Sequence, residues 1–115
     1  MMKRVVLTAA ALLAAGTLAS LAPAVSADDT LTIEITVKDH QFTPAEAKAP
    51  AGKPIVFKVK NHDSAPIEFE SDPLEFETVV KPNTEGLIKV KPQKAGRYEF
   101  FDDLHQATKG YLVVE

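Results

Sequence analysis

The stretch LTIEITVK at residues 31–38 decides the fold class, because apolar and polar side chains alternate along it without a break. The leucine, two isoleucines and valine fall on one side of an extended chain, and the threonines, glutamate and lysine fall on the other. A strict period of two predicts a strand with one buried and one solvated face. Residues 55–60 (IVFKVK) repeat the pattern and predict a second such strand.

Four more short extended segments follow these two strands in the chain, at residues 67–70, 87–91, 97–101 and 111–114. Turn-forming residues separate them, as in Pro50-Ala51-Gly52-Lys53 and the Asn61–Ser64 stretch. Residues 73–80 are the best candidate for a single helical turn, and no window carries a sustained apolar stripe at helical spacing. Short strands with turns between them predict an all-β fold, an antiparallel sandwich or barrel.

Composition excludes several classes of protein. The 115 residues suffice for one domain, and 13 basic against 16 acidic residues give a net charge of −3, which argues against a nucleic-acid partner. The chain has no cysteine, so disulfides, thiolate zinc sites, iron–sulfur clusters and thiol nucleophiles are excluded.

Residues 1–27 have the three parts of a secretory signal. Lys3 and Arg4 precede an apolar run, and small residues around Ala27 suit signal peptidase. The alternative is an uncleaved membrane anchor, although the apolar run is short for a spanning helix of ~20 residues. We expect cleavage after Ala27, export to the periplasm, and a single domain over residues 28–115.

Candidate metal ligands follow the predicted strands. They are Asp39 and His40 after the first strand, Glu68 and Glu70 in the middle of the chain, and Asp102, Asp103 and His105 after the aromatic strand. Imidazole together with carboxylate suits iron, copper, manganese or zinc. Simpler roles remain open: Asp39 is suited to capping a turn, Glu68 and Glu70 to the wet face of an edge strand, and Asp103 to facing solvent.

Four segments resemble cupredoxins. Residues 98–114 (YEFFDDLHQATKGYLVV) are similar to the C-terminal copper loop and last strand of that family. Residues 61–66 resemble the loop that carries its first histidine, and the Asp-x-x-Phe-x-Pro motif at residues 39–44 and Pro50-Ala51-Gly52 are also similar. The resemblance implies a cupredoxin-like Greek-key β-sandwich across nearly all of residues 28–115.

The departures from that family concern the metal ligands. Asp102 stands at the position of the copper-binding cysteine, Ile67 and Glu68 stand near the first histidine, and Thr108 lies where an axial methionine is expected. This pattern is similar to the cupredoxin-like periplasmic components of bacterial ferrous-iron uptake systems of the Efe and Ftr type. The resemblance implies an iron or copper site on Asp39, Glu68, Asp102 and His105, with His40 and Glu77 as weaker additions.

That resemblance also implies a function. The protein would oxidise Fe(II), with or without copper, beside a periplasmic iron-binding protein and an inner-membrane iron permease. Carboxylates agree with this, because anionic oxygen donors stabilise Fe(III) more than Fe(II) and so favour oxidation. Two alternatives stay open: a non-enzymatic carrier or chaperone for iron or copper, and a metal-free adhesion or assembly module. We expect replacement of Asp102 or His105 by alanine to weaken metal binding without disturbing the fold, provided that both side chains are partly exposed.

Overall fold

The structure, a computed structural model, describes residues 29–115 and forms a β-sandwich of nine strands. The expected signal segment therefore lies outside the described residues. The strands are β1 (Leu31–Lys38), β2 (Gln41–Thr43), β3 (Glu46–Ala49), β4 (Ile55–Asn61), β5 (Ile67–Ser71), β6 (Phe76–Val80), β7 (Glu85–Val90), β8 (Gly96–Asp102) and β9 (His105–Val114). Residues 29–115 contain no helix long and apolar enough to cross a membrane.

Two sheets make the sandwich. The first sheet has the strand order β2-β1-β4-β7, and the second has the order β3-β9-β8-β5-β6. The predicted all-β sandwich is confirmed. The sheets are mixed, however, because β1 pairs parallel with β4, and β3 pairs parallel with β9. The expectation of a purely antiparallel sandwich was wrong in those two pairings.

The core lies between the sheets and is built from the inward faces that the alternation predicted. Ile35 and Val37 of β1 are fully buried, as is Val59 of β4. Phenylalanines from both sheets meet at the centre, where the ring centroids of Phe57 and Phe69 are 5.6 Å apart in an edge-to-face contact. A core of this kind can stabilise a small domain that has no disulfide.

Four segments differ from the sequence-based prediction, and two of them are the short strands β2 and β3, which it did not include. Residues 76–80 form strand β6 rather than a helical turn, because they pair along their whole length with β5. The segment after Asp102 is a two-residue turn rather than a ligand-bearing loop, since β9 already begins at His105. Asp102 and His105, which the cupredoxin resemblance placed on a loop, therefore lie on two neighbouring strands of one sheet.

Candidate metal centre

Two hairpin turns, one from each sheet, meet at one end of the sandwich. The turn between β1 and β2 consists of Asp39 and His40, and the turn between β8 and β9 consists of Asp103 and Leu104. The Thr108 hydroxyl of β9 joins the two, donating a hydrogen bond of 2.6 Å to the His40 carbonyl. Chemically useful side chains from distant parts of the chain are thereby brought together.

The β1–β2 turn is held in an unusual backbone conformation by a carboxylate. Asp39 and His40 have φ values of 51° and 59°, the left-handed arrangement of a tight hairpin turn. The Asp63 carboxylate accepts the backbone N–H groups of both residues, at 2.7 and 3.1 Å. These two hydrogen bonds hold the pKa of Asp63 below its ordinary value, and the bond from the His40 N–H contributes most. Asp63 thus fixes the position from which His40 projects.

Asp63 is itself anchored to the core by Asn61. The Asn61 side chain is buried, and its amide donates to the carbonyls of Ala65 and Val80 at 2.8 and 3.1 Å. Its Oδ1 accepts the backbone N–H of Asp63 at 2.9 Å. The sequence predicted residues 61–64 as a loop, without roles for Asn61 and Asp63. Their density of Asn, Asp and Ser was the signal that side chains would bond to the backbone there.

Asp102 is buried and partly committed to the backbone. Its side chain is 1% exposed, and Oδ1 accepts the N–H groups of Glu68 and Leu104, both at 3.0 Å. A β-bulge at Phe101 and Asp102 interrupts the ladder beside these donors. Oδ2 makes no hydrogen bond to the described part of the chain. The recorded hydrogen bonds of the Asp102 carboxylate thus all fall on one of its two oxygens.

The burial of Asp102 changes one expectation. The prediction that alanine at this position would leave the fold undisturbed required a partly exposed side chain, and Asp102 is not one. Removing its carboxylate leaves two backbone donors without an acceptor, which costs about 1–3 kcal/mol of folding stability for a buried group. His105 is exposed, so the expectation that alanine leaves the fold undisturbed still applies to His105→Ala.

His105 faces His40 across the junction of the two turns. The two imidazole rings are stacked, with centroids 4.2 Å apart and planes inclined by 11°. His105 Nδ1 lies 2.9 Å from Thr108 Oγ1. His105 is also the cross-strand partner of Asp102 where the hairpin closes, so the backbones of the two residues are adjacent. This end of the sandwich thus carries two imidazoles and one carboxylate as candidate ligands.

A second group of ligand atoms lies on the outer face of the second sheet. Carboxylate oxygens of Glu68, Glu70 and Asp103 all lie within 4.8 Å of one another, and in residues 29–115 no other set of three or more potential ligands is this close. A hydrogen bond with Glu77, loss of solvent and the charges of Glu77, Asp103 and Glu70 raise the pKa of Glu68 to about 7. Oxygen donors of this kind suit a hard cation.

The four residues predicted to form one metal site are therefore distributed over the end of the sandwich. Asp102 and His105 are cross-strand neighbours, Asp39 lies in the turn beside them, and Glu68 belongs to the outer carboxylate group. That they share one ion stays a prediction. Asp103, expected to face solvent, has an oxygen within the carboxylate group and also accepts a hydrogen bond of 3.0 Å from Gln106.

Comparison with known proteins places this architecture in a family. Residues 7–114 match the cupredoxin-like domain, and the chain belongs to that family. It is 39% identical over 88 residues to an uncharacterized protein of Rickettsia prowazekii (strain Madrid E), covering 76% of this chain and 70% of that protein.

Solved structures share the fold at low sequence identity. The metal-binding domain of the Cu(I)-exporting P-type ATPase CopA of Streptococcus pneumoniae D39, solved with Cu(I), superposes with a TM-score of 0.68 at 20% identity, covering 76% of this chain and 88% of that one. Auracyanin A, a blue copper protein from Chloroflexus aurantiacus, gives 0.63 at 15% identity, covering 75% and 99%.

The donors present here do not fit a thiolate copper centre. The chain has no cysteine, and both of its methionines, Met1 and Met2, lie in the expected signal segment. Imidazole nitrogen and carboxylate oxygen are the donors available at the end of the sandwich, and they fit iron or Cu(II) held without sulfur.

Proposed function

We propose that the protein is a periplasmic metal-binding protein that holds iron or copper through nitrogen and oxygen ligands at the end of the sandwich, and that it oxidises Fe(II) for delivery to an inner-membrane iron permease. The observation that carries the proposal is the pairing of His105 with Asp102, whose Oδ2 is free while Oδ1 is fixed by two backbone donors. A ligand fixed in this way needs little reorganisation when an ion binds.

The redox part of the proposal follows from the charge of the site. Carboxylates near the ion stabilise Fe(III) over Fe(II), because the Coulomb attraction grows with the charge of the ion. Each Fe(II) that is oxidised releases one electron, which dioxygen or a membrane redox partner accepts. Copper held by the same ligands would favour Cu(II), so it would need that acceptor to turn over.

A second function is favoured by the outer carboxylate group. Glu68, Glu70 and Asp103 are accessible to solvent, and an exposed oxygen site exchanges its cation readily. That arrangement suits a carrier that passes iron or copper to a permease without changing its oxidation state. Consumption of Fe(II) under air separates the two functions, because a carrier binds Fe(II) without consuming it.

Titration calorimetry with Cu(II), and with Fe(II) under anaerobic conditions, tests the proposed ligands. Asp102→Asn keeps an acceptor oxygen for the backbone and removes the charge of Oδ2, so the fold is spared while the ligand is lost. We expect Asp102→Asn and His105→Ala each to weaken binding tenfold or more, about 1.4 kcal/mol per tenfold.

Two variants serve as matched controls for these substitutions. Glu85→Gln removes a carboxylate from β7, on the other sheet, and His62→Ala removes an exposed imidazole from the β4–β5 loop. Both should bind metal like the parent. If Asp102→Asn and His105→Ala also bind like the parent, the ligands lie elsewhere, and weakening in Glu70→Gln alone would point to the outer carboxylates.

A further inference from the structure

Thr108 occupies a position that no ligand set above includes. Its side chain is 4% exposed, although its neighbours Ala107 and Lys109 on β9 are exposed. Its hydroxyl oxygen has two polar neighbours, the His40 carbonyl oxygen at 2.6 Å and His105 Nδ1 at 2.9 Å. One hydroxyl therefore contacts both histidine-bearing segments of the candidate centre.

The direction of these two hydrogen bonds follows from counting protons. A carbonyl oxygen only accepts, so the single hydroxyl proton of Thr108 is donated to His40. The hydroxyl oxygen then has lone pairs but no proton left for His105. The contact of 2.9 Å is a hydrogen bond only if His105 Nδ1 carries a proton and donates it.

A neutral imidazole carries one proton, so a proton on Nδ1 leaves Nε2 bare. We propose that Thr108 is a positioning residue that holds neutral His105 in the Nδ1–H form, so that Nε2 is the atom His105 offers to a metal ion. Which ring nitrogen is free to bind is set in general by the hydrogen bond that the other one makes. The tautomer is a property of the protein without metal, and only its use as a ligand rests on the proposed function.

The surroundings hold the ring in this orientation. The His40 ring lies flat against that of His105, with centroids 4.2 Å apart, and the Thr108 bond to the His40 carbonyl ties that turn in place. Turning the His105 ring over by half a rotation would put a carbon opposite Thr108 and lose the hydrogen bond. Without the Thr108 hydroxyl, neither the tautomer nor the orientation of the His105 ring should be fixed.

Nitrogen-15 NMR of the imidazoles tests the tautomer directly in metal-free protein. At about pH 8.5, where a histidine of ordinary pKa is neutral, we expect His105 to show a protonated Nδ1 and a bare Nε2. His62 is the internal reference, because it is exposed and its ring makes no hydrogen bond within the described residues. A proton found mainly on Nε2 of His105 in the parent protein would overturn the proposal without any variant being needed.

Two substitutions then assign the effect to the hydroxyl. Thr108→Val keeps the shape and the strand preference of the side chain but removes its oxygen, whereas Thr108→Ser keeps the oxygen. We expect the His105 tautomer to shift toward the mixture shown by His62 in Thr108→Val and to be retained in Thr108→Ser. Equal tautomer ratios in the parent and Thr108→Val would contradict the positioning role.

Metal affinity provides the separate readout. Loss of an outer partner of a ligating histidine commonly costs 10–100-fold in affinity, so Thr108→Val should bind Cu(II) at least tenfold more weakly than the parent and Thr108→Ser. If the tautomer shifts but neither the parent nor the variants bind Cu(II) or Fe(II), the positioning role stands and the proposed function fails. If the parent binds metal and Thr108→Val binds it equally well, Nε2 of His105 is not the ligand atom.

Discussion

At the scale of single residues, Glu68 is a carboxyl group whose pKa is raised by the other carboxyl groups around it. Glu77 shares a hydrogen bond with it, and Asp103 and Glu70 add negative charge, which together raise its pKa to about 7 from an ordinary 4.5. Between these two pH values the folded protein keeps a proton that the unfolded chain has released. Because the folded state then binds more protons, its stability falls as the pH rises from about 4.5 to about 7.

Glu77→Gln should flatten that fall in stability. The amide removes one negative charge and donates a hydrogen bond to ionised Glu68, so Glu68 keeps its proton less tightly. We would measure the midpoint of urea unfolding for the metal-free protein, in the presence of a chelator, between pH 4.5 and 8. The midpoint should decline less with rising pH in this variant than in the parent. Parallel declines in the two proteins would show that Glu77 does not perturb Glu68.

At the scale of elements, the β1–β2 hairpin depends on a residue outside it. Two successive non-glycine residues with positive φ carry a conformational cost, and the Asp63 carboxylate offsets it by accepting both turn N–H groups. Asp63→Ala should lower the free energy of unfolding by about 1–2 kcal/mol, since hydrogen bonds to a charged acceptor are lost. Asp63→Asn should lose less, because it keeps one acceptor oxygen.

Urea unfolding at neutral pH measures this effect, and Ser64→Ala, an exposed neighbouring substitution, is the matched control. We expect that control to unfold like the parent. The stabilisation by Asp63 should also disappear on acidification, because its lowered pKa means that protonation removes the interaction. An Asp63→Ala protein as stable as the control would mean that the turn holds its own conformation.

The sequence predicted the longer strands in which apolar residues recur with a period of two. β1 and β4 alternate between buried positions and half-buried or exposed ones, and both were predicted from that period, whereas β2 and β3 are too short to show it. β6 was missed because it is an edge strand whose outward Val79 is 60% exposed, so its apolar residues do not mark one face. The early start of β9 was missed for a similar reason, since Thr108 is the sole buried residue between His105 and Lys109.

The candidate site was predicted less completely than the strands. The sequence predicted Asp102 and His105 as ligands, which stays a prediction, and the structure places the two residues next to each other at one end of the sandwich. The sequence could not show that Asp102 is buried. Its carboxylate accepts a backbone N–H group beside a β-bulge, and neither the bulge nor this donor can be recognised from local sequence. The roles of Asn61, Asp63 and Thr108 depend on contacts over 19 to 68 positions of the chain, which local patterns do not reveal.

At the scale of the whole molecule, the nature of the ligands should determine the optical spectrum of a copper complex. We expect Cu(II) to bind with weak absorption and without an intense blue band, because the chain contains no thiolate for charge transfer. Thermal unfolding should show that the ion is bound: at a hundredfold excess over Kd, the gain in unfolding free energy is about 2.7 kcal/mol.

A chelator should reverse that gain in stability and serves as the control. An intense blue complex would contradict the ligand set outright. Absence of any stabilisation by Cu(II) or iron would instead favour the metal-free adhesion or assembly module.

The order of strands in the second sheet also bears on how the chain is made. β9 is the last of the nine strands to be synthesised, yet it lies inside that sheet, between β3 and β8. Until residues 105–114 have emerged, β3 has no neighbour in the sheet, and β8 is paired along one edge only, with β5. The second sheet therefore stays incomplete until residues 105–114 are available, and the two sheets can close around the core only after these residues have been synthesised.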